Sequence, residues 1–215
     1  MIHKTAALFL TLAALPLAAQ SFEGTITMTI VSDNGAAHPM SFMLRGGKIR
    51  FDVGGGQMTV VTEPAAQRMM VIVNAQKMYT ESSFAGAVAS IQQQAGGKNP
   101  AIVRTGKMDV VAGYKCEHVT VTDDDGGLVD SCLSSELGGF RMPTASNPMS
   151  PQREAGWLTQ LGATNFPLKV TKGGKTIMEV TAIEKKSLDP ALFTAPAGYQ
   201  SFAMPSMPRK PPQQS

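Results

Sequence analysis

The sequence predicts a mainly β protein (α+β class), in which an antiparallel meander of short strands carries a few short helices. Three observations lead to this fold class: apolar and polar residues alternate over short runs, glycine-rich turns separate those runs, and two segments instead show helical spacing. Consecutive short strands joined by tight turns pair antiparallel. The chain of 215 residues is long enough to bury one core, so we expect a single domain over residues 20–200.

The first part of the chain contains only strand signals. Ile26, Met28 and Ile30 alternate with threonines, which is the period of a strand with one buried face. Paired glycines then turn the chain between successive runs. The predicted strands of this part are 22–31, 40–45, 48–53, 58–62, 68–73 and 77–81. Run 68–73 is apolar on both faces, so we expect both of its faces to be covered.

Two segments break the strand period. Phe84, Val88 and Ile91 lie at i, i+4 and i+7, which predicts a helix over residues 82–94. Residues 152–161 predict a second short helix with Trp157 on its apolar side, after an exposed loop at 141–154.

A second hairpin is predicted near the end of the chain, with strands at 166–171 and 175–183 around paired glycines. Asp189 then suits the N-cap of one helical turn, with Pro190 at its first position. Residues 201–215 are predicted to be a disordered tail rich in proline and methionine.

The two cysteines predict one disulfide in a β-hairpin. Val119 and Val121 alternate with polar residues before an Asp- and Gly-rich turn, and a second alternating run follows. If Cys116 lies opposite Cys132, then His118 lies opposite Asp130 and a loop of residues 123–125 remains. Directly opposed strand residues are close enough for a disulfide, so the turn and the cysteines favour one register. Two separate buried thiols are the alternative.

The start of the chain predicts export. Residues 1–19 have a positive residue, an apolar core too short to span a bilayer and a small-residue cleavage site, as in a signal peptide. No cysteine follows the cleavage site to carry a lipid, so we expect a periplasmic or secreted protein without an anchor or transmembrane segment. The formal net charge of +3 is too small to indicate a nucleic-acid partner.

Two segments support a family resemblance. Residues 111–117 (VAGYKCE), followed by a later cysteine, and residues 188–199 (LDPALFTAPAGY) resemble an uncharacterised family of exported bacterial proteins, domain of unknown function 4412. The ending is also similar to that of the periplasmic lipoprotein carriers LolA and LolB. The resemblance covers residues 21–199 and implies an incompletely closed antiparallel β-barrel, a curved single sheet with two or three short helices as a lid. The carriers bind acyl chains in that cavity, which implies a lipid or a lipoprotein acyl chain as partner.

Methionine is unusually frequent, with 14 residues, many of them in strand-like runs. Flexible thioethers suit a cavity that accepts varied apolar ligands, although ordinary core filling explains them too. Thioethers also bind copper, but we expect no metal and no cofactor. The candidate cavity residues are Met28, Met43, Met70, Met78, Phe84, Val88, Ile91 and Trp157.

Catalytic and calcium-binding patterns are weak. His118 beside Asp130 would be half of a hydrolytic triad, but the sequence has no Gly-x-Ser-x-Gly elbow. The acidic turn at 123–125 fails the EF-hand pattern, because Val121 and Cys132 would occupy its first and last positions. We therefore expect a non-enzyme and assign no catalytic residue.

The sequence thus favours an exported binding module that holds an apolar or acyl ligand in a barrel cavity. The alternative is a structural or interaction protein of the cell envelope with a filled core and no ligand. An exported hydrolase is a third hypothesis.

Overall fold

The computed structural model describes residues 22–32, 34–83, 102–122, 126–137 and 165–202. These ranges form one twelve-stranded sheet and contain no α-helix. The strands are β1 (Gly24–Val31), β2 (Ala37–Arg45), β3 (Lys48–Val53), β4 (Met58–Glu63), β5 (Arg68–Val73), β6 (Met78–Ser83), β7 (Ile102–Val111), β8 (Tyr114–Thr122), β9 (Leu128–Ser134), β10 (Phe166–Lys172), β11 (Lys175–Lys185) and β12 (Gln200–Ser201). Three short 3₁₀ turns join or follow them, η1 (Pro64–Ala66), η2 (Asn74–Gln76) and η3 (Pro190–Phe193).

The sheet is a curved antiparallel meander with an inserted C-terminal hairpin. Its order is β12-β6-β5-β4-β3-β2-β1-β11-β10-β9-β8-β7, and only the short β12–β6 pair is parallel. Strand β1 therefore lies between β2 and β11, which joins the first half of the chain to the last. Because the order begins at β12 and ends at β7, the barrel is not closed. The mainly β class and the single curved sheet are confirmed.

The larger apolar cluster lies on one face of this sheet, which we call the core face. Ile26, Phe42 and Phe51 are directly opposed on β1, β2 and β3, so their side chains point to the same face. Phe42 and Phe51 also pack ring against ring, with centroids 5.5 Å apart. Ile26 and Phe42 are at most 1% exposed, so this face is filled by its own side chains.

A smaller cluster lies on the opposite face of β4 and β5, which we call the strap face. Val61 and Met70 are directly opposed on these strands, and Ile72 follows two residues later on the same face. Leu188 and Phe193 cover them, together with half-buried Leu192 and Tyr199. These covering residues belong to residues 186–202, which we call the strap. Run 68–73 is therefore covered on the strap face, whereas Met69, Val71 and Val73 on its other face are half-buried.

Most strand predictions are confirmed within a few residues, and 48–53 and 68–73 match β3 and β5 at both ends. The helical predictions fare differently. Ser82 and Ser83, the first residues of the predicted mid-chain helix, belong to β6. The rest of that helix, the helix at 152–161, the loop at 141–154, the signal peptide and residues 203–215 of the predicted tail lie outside the described residues. The helical lid is therefore not supported. Ser201 and Phe202, the first two residues of that predicted disordered tail, instead pair with β6.

The cysteine hairpin forms as predicted, but in a different register. The Cys116–Cys132 disulfide is present, with Cα atoms 5.2 Å apart. However, His118 lies opposite Cys132 and Thr120 opposite Asp130, so the predicted pairing of His118 with Asp130 is wrong. The reason is the turn: Gly126 has a φ of 78°, which an extended strand cannot use, so β9 begins only at Leu128. The loop is therefore 123–127.

Within the part of the chain that the structure describes, no helix has the length and apolar character needed to cross a membrane.

Candidate functional site

A cleft of about 170 Å³ opens between the strap and the strap face of the sheet. We call it the strap cleft. Val61, Met70 and Phe193 form its apolar part and are each at least nine-tenths buried. Its full lining is Lys48, Val61, Glu63, Arg68, Met69, Met70, Glu81, Phe193, Thr194 and Ala195. The cleft thus combines a buried apolar floor with charged walls.

The strap is shaped by the local sequence that follows β11. Asp189 accepts a hydrogen bond from the Ala191 N–H (2.9 Å) and so caps η3, while Pro190 occupies its first position. The cap and the proline stabilise a tight turn in a segment too short to form a stable helix alone. This turn directs Phe193 onto Val61 and Met70. The predicted N-cap is therefore confirmed.

Glu23 and Arg45 attach the start of the strap to the sheet. The Glu23 carboxylate accepts hydrogen bonds from the Leu188 N–H (2.7 Å) and from Arg45 Nη1 (2.6 Å). Arg45 also donates to the Leu188 carbonyl oxygen. The hydrogen bond from Leu188 is the main cause of a lowered pKa of Glu23, and Arg45 and Ser187 add to it. Partial desolvation of the carboxylate opposes this change but does not cancel it.

Further contacts hold the middle and the end of the strap. Arg50 Nη1 donates to the Leu192 carbonyl oxygen at 2.8 Å. The Tyr199 hydroxyl and the Asn74 side-chain oxygen lie 3.3 Å apart in a hydrogen bond. At the end, the N–H groups of Gln200 and Phe202 donate to the carbonyls of Lys77 and Tyr79, which adds β12 to β6. The strap, which forms one wall of the cleft, is therefore attached to the sheet at its start, its middle and its end.

The charged walls of the cleft are only partly neutralised. Arg68 Nη2 forms an ion pair with Glu63 Oε2 at 2.8 Å. The side chains of Lys48 and Glu81 make no hydrogen bond or ion pair with any residue that the structure describes. Lys48 lies on β3 and Glu81 on β6, with two strands between them. The cleft therefore has an unpaired positive charge on one side and an unpaired negative charge on the other.

The structure separates the predicted cavity residues. Met70 lines the strap cleft, and Met43 packs at the edge of the same cluster. Met28 is fully buried in the core-face cluster, and Met78 is half-buried on β6 opposite Gln200. Phe84, Val88, Ile91 and Trp157 lie outside the described residues. The sequence does not mark Val61, Lys48 or Glu81 as cleft residues. Phe193 lies in the terminal motif 188–199, which is the one sequence signal near the cleft.

His118 forms a second polar cluster, next to the disulfide. Its Nδ1 lies 2.7 Å from Asp130 Oδ1, and its Nε2 lies 3.8 Å from Asp109 Oδ2. The histidine thus still contacts Asp130, although the two are diagonal and not directly opposed. A hydrogen bond from the Val110 N–H is the main cause of a lowered pKa of Asp109, and His118 adds to it.

The three serines near this cluster differ in exposure. Ser131 and Ser134 are at most 1% exposed, whereas Ser135 is exposed. In the described ranges, no group of three or more His, Cys, Asp or Glu side chains is placed to bind a metal ion. The contact between His118 and Asp130 joins β8 to β9.

Several solved structures resemble the chain, all at TM-scores below 0.5 and low identity, so they carry no conclusion about function. PNGF-II has a TM-score of 0.47 and 14% identity over 84% of this chain, which spans only 30% of the PNGF-II chain. An uncharacterized conserved protein from Thermus thermophilus has a TM-score of 0.47 and 9% identity, with 85% and 90% of the two chains covered. MucB has a TM-score of 0.38 and 16% identity, and the match covers 85% of this chain and 59% of MucB.

No curated protein matches this sequence. The family described as "Domain of unknown function (DUF4412)" matches residues 22–199, which include strands β1 to β11, the disulfide and most of the strap. The resemblance that the two sequence motifs indicated is therefore confirmed, and the chain belongs to the DUF4412 family.

Proposed function

We propose that this protein is an exported, non-enzymatic interaction module that binds an apolar group of a partner in the strap cleft. The observation that carries the proposal is the cleft itself, which has Val61, Met70 and Phe193 at its floor and two unpaired charges on its walls. Buried apolar surface supplies binding energy, and a few placed polar groups supply orientation.

The filled core face favours this cleft over the barrel cavity of the carrier proteins. Ile26, Phe42 and Leu168 are at most 1% exposed and pack within one cluster, as in a filled core. The strap cleft is also small, since pockets for drug-sized ligands measure roughly 300–1,000 Å³. A cavity of about 150 Å³ holds one benzene-sized group, so the cleft suits a single side chain better than an acyl chain.

The residue types in the cleft support a binding role without catalysis. Its lining contains no histidine, cysteine or serine, and one of its two carboxylates, Glu63, is paired with Arg68. The disulfide and the predicted signal peptide both support an oxidising compartment outside the cytoplasm.

The first experiment tests whether the cleft accepts an apolar side chain. The purified mature protein with ¹³C-labelled methionine methyl groups is titrated with N-acetyl-phenylalanine amide and followed by NMR. We expect the signals of Met69 and Met70 to shift and the Met28 signal to stay, because Met69 and Met70 line the cleft and Met28 is buried in the core-face cluster. Shifts confined to Met28, or no shift at millimolar probe, would overturn the proposal.

Two variants and one extraction complete the test. Ala195→Trp fills the cleft and should abolish the Met70 shift. Ala182→Trp, at an exposed position of β11, is the matched control and should leave the shift unchanged. Organic extraction of the protein purified from a bacterial periplasm should give no stoichiometric lipid by mass spectrometry. A stoichiometric lipid would instead support the acyl ligand that the carrier resemblance implies.

A further inference from the structure

We propose that the strap cleft recognises an extended peptide in which a large apolar side chain stands between an acidic and a basic residue, two positions from each. This inference rests on the proposed function, because it assigns the chemistry of the partner to the same cleft. Its basis is the size of the cleft together with the position of its unpaired charges.

The size of the cleft limits the apolar group to one side chain. The whole cleft, including its charged walls, has a volume of about 170 Å³, slightly more than a cavity known to hold benzene. Phenylalanine, leucine and methionine side chains are of this size. A second large side chain would remain outside, on the charged walls.

The charges set the spacing of the flanking groups. β3, which carries Lys48, is separated from β6, which carries Glu81, by β4 and β5. Three interstrand spacings of roughly 4.8 Å, together with an offset of two residues along the strands, place the Cα atoms of the two residues about 16 Å apart. Between them, Glu63 and Arg68 neutralise each other. A matching ligand therefore carries a negative and a positive group at about this separation, on either side of its apolar group.

An extended peptide meets this requirement. Each residue of an extended chain advances about 3.3 Å, so the Cα atoms of residues four positions apart are separated by roughly 13 Å, and the long flexible side chains of glutamate and lysine span the remaining distance to Lys48 and Glu81. Side chains at i, i+2 and i+4 also point to the same side of the peptide. An acidic residue at i would approach Lys48, an apolar residue at i+2 would enter the cleft, and a basic residue at i+4 would approach Glu81.

Smaller zwitterions do not fit this spacing. In a phosphatidylethanolamine headgroup, two carbons separate the amine from the phosphate oxygen. In a free amino acid, a single carbon carries both the ammonium and the carboxylate. Neither molecule can reach Lys48 and Glu81 together. The spacing of the charges therefore distinguishes a peptide from a lipid headgroup.

The test compares two capped, fluorescently labelled peptides of identical composition, Glu-Ser-Phe-Ser-Lys and Ser-Glu-Phe-Lys-Ser, by polarisation with the mature protein. We expect Glu-Ser-Phe-Ser-Lys to bind more tightly, because its two charged side chains point to the same side of the peptide as the phenylalanine. Its binding should weaken as the salt concentration is raised, because salt screens the charges. Glu81→Gln and Lys48→Gln should each weaken its binding about 2- to 5-fold, as expected for exposed ion pairs. Glu136→Gln, remote from the cleft on an exposed loop, should leave binding unchanged.

The outcomes separate the two proposals. Equal binding of both peptides, blocked by Ala195→Trp, would overturn the charge spacing and leave the cleft as an apolar site. If neither peptide bound while N-acetyl-phenylalanine amide still shifted the Met70 signal, the charge spacing would also be overturned and the cleft would remain an apolar site. Peptide binding that survives both Ala195→Trp and a second filling variant, Thr194→Trp, would overturn both proposals. Preferred binding of phosphatidylethanolamine vesicles over either peptide would overturn the peptide assignment.

Discussion

At the scale of single residues, Glu23 connects the two ends of the described chain. It precedes β1, yet its carboxylate accepts hydrogen bonds from Leu188 and Arg45 and so holds the first residues of the strap. The hydrogen bond from Leu188 lowers the pKa of Glu23, which means that the folded state favours the ionised carboxylate. A group with a lowered pKa in the folded state stabilises the protein above its unfolded-state pKa, and this contribution is lost as the pH falls through the folded-state pKa.

We therefore expect Glu23→Gln to reduce stability at pH 7 and to change it much less at acidic pH. The amide keeps the shape of the side chain but loses the charge that Leu188 and Arg45 stabilise. Urea denaturation at pH 7 and near pH 3 measures the effect as a smaller difference between the two midpoints than in the wild type.

Glu136→Gln is the control for Glu23, because Glu136 is exposed and lies far from the strap in the sequence and in the sheet. If both variants changed the pH dependence equally, Glu23 would have no special role in holding the strap.

Single residues of the strap and of the cleft could be predicted from the sequence only where local chemistry decides their role. Asp189 as an N-cap follows from its position before Pro190, and this prediction is confirmed. Met70 was a candidate because thioethers suit apolar cavities, and it does line the cleft. Lys48 and Glu81 look like ordinary strand residues, because their place in one cleft depends on how four strands and the strap come together.

At the scale of elements, the cysteine hairpin shows what alternation predicts and what it does not. The period of two residues identified β8 and β9. It did not fix their register, because a shift of two residues leaves every side chain on the same face. The disulfide tolerates this shift, with Cα atoms 5.2 Å apart.

We expect removal of the disulfide to destabilise the protein moderately. The two cysteines are 16 positions apart, and a loop of about 15 residues corresponds to a gain of roughly 3 kcal/mol in the unfolded-state entropy model. The hairpin already closes part of that loop, so the loss for the Cys116→Ser/Cys132→Ser double variant should be smaller. Urea denaturation of this variant and of the wild type, each with and without reductant, measures it. An unchanged midpoint, or complete unfolding in reductant alone, would contradict this expectation.

The strap is the element whose location the sequence could not predict. Its motif was recognised at 188–199, but its partners Arg45 and Arg50 lie about 140 positions earlier in the chain. No local pattern links residues so far apart. The exposed and buried faces of the strap were equally undetermined, because a 3₁₀ turn of four residues has no periodicity to interpret.

We expect Arg50→Ala to loosen the strap. The guanidinium of Arg50 is mostly buried and donates to the Leu192 carbonyl oxygen, and a hydrogen bond from a charged group contributes about 1.5–3 kcal/mol. Urea denaturation should show this loss, and limited proteolysis should show faster cleavage within residues 186–202.

Arg68→Ala is the matched control for Arg50→Ala. Arg68 is also an arginine of the strap face, but it is exposed and makes a surface ion pair, so its loss should cost about 0–1 kcal/mol. Equal losses in the two variants, or an unchanged cleavage rate in Arg50→Ala, would show that Arg50 does not hold the strap.

At the scale of the whole molecule, two apolar clusters share one sheet. β4 and β5 contribute Val61, Met70 and Ile72 to the strap-face cluster, while β3 contributes Phe51 to the core-face cluster next to them. Because both clusters lie on strands of one hydrogen-bonded sheet, loss of either should weaken the sheet as a whole. The molecule should therefore unfold as one cooperative unit, as expected of a single domain.

We expect Phe42→Ala on the core face and Phe193→Ala in the strap to lower the midpoint of one shared unfolding transition. Both side chains are at least 96% buried, and Phe→Ala substitutions at such positions cost about 3–5 kcal/mol. For a domain of this size, that loss corresponds to a decrease in Tm of roughly 6–20 °C. Differential scanning calorimetry and far-UV circular dichroism should report the same single transition for each variant. If Phe193→Ala instead produced a separate early transition and left the main Tm unchanged, the strap would be a locally unfolding segment, and the cleft that it borders would form and open independently of the sheet.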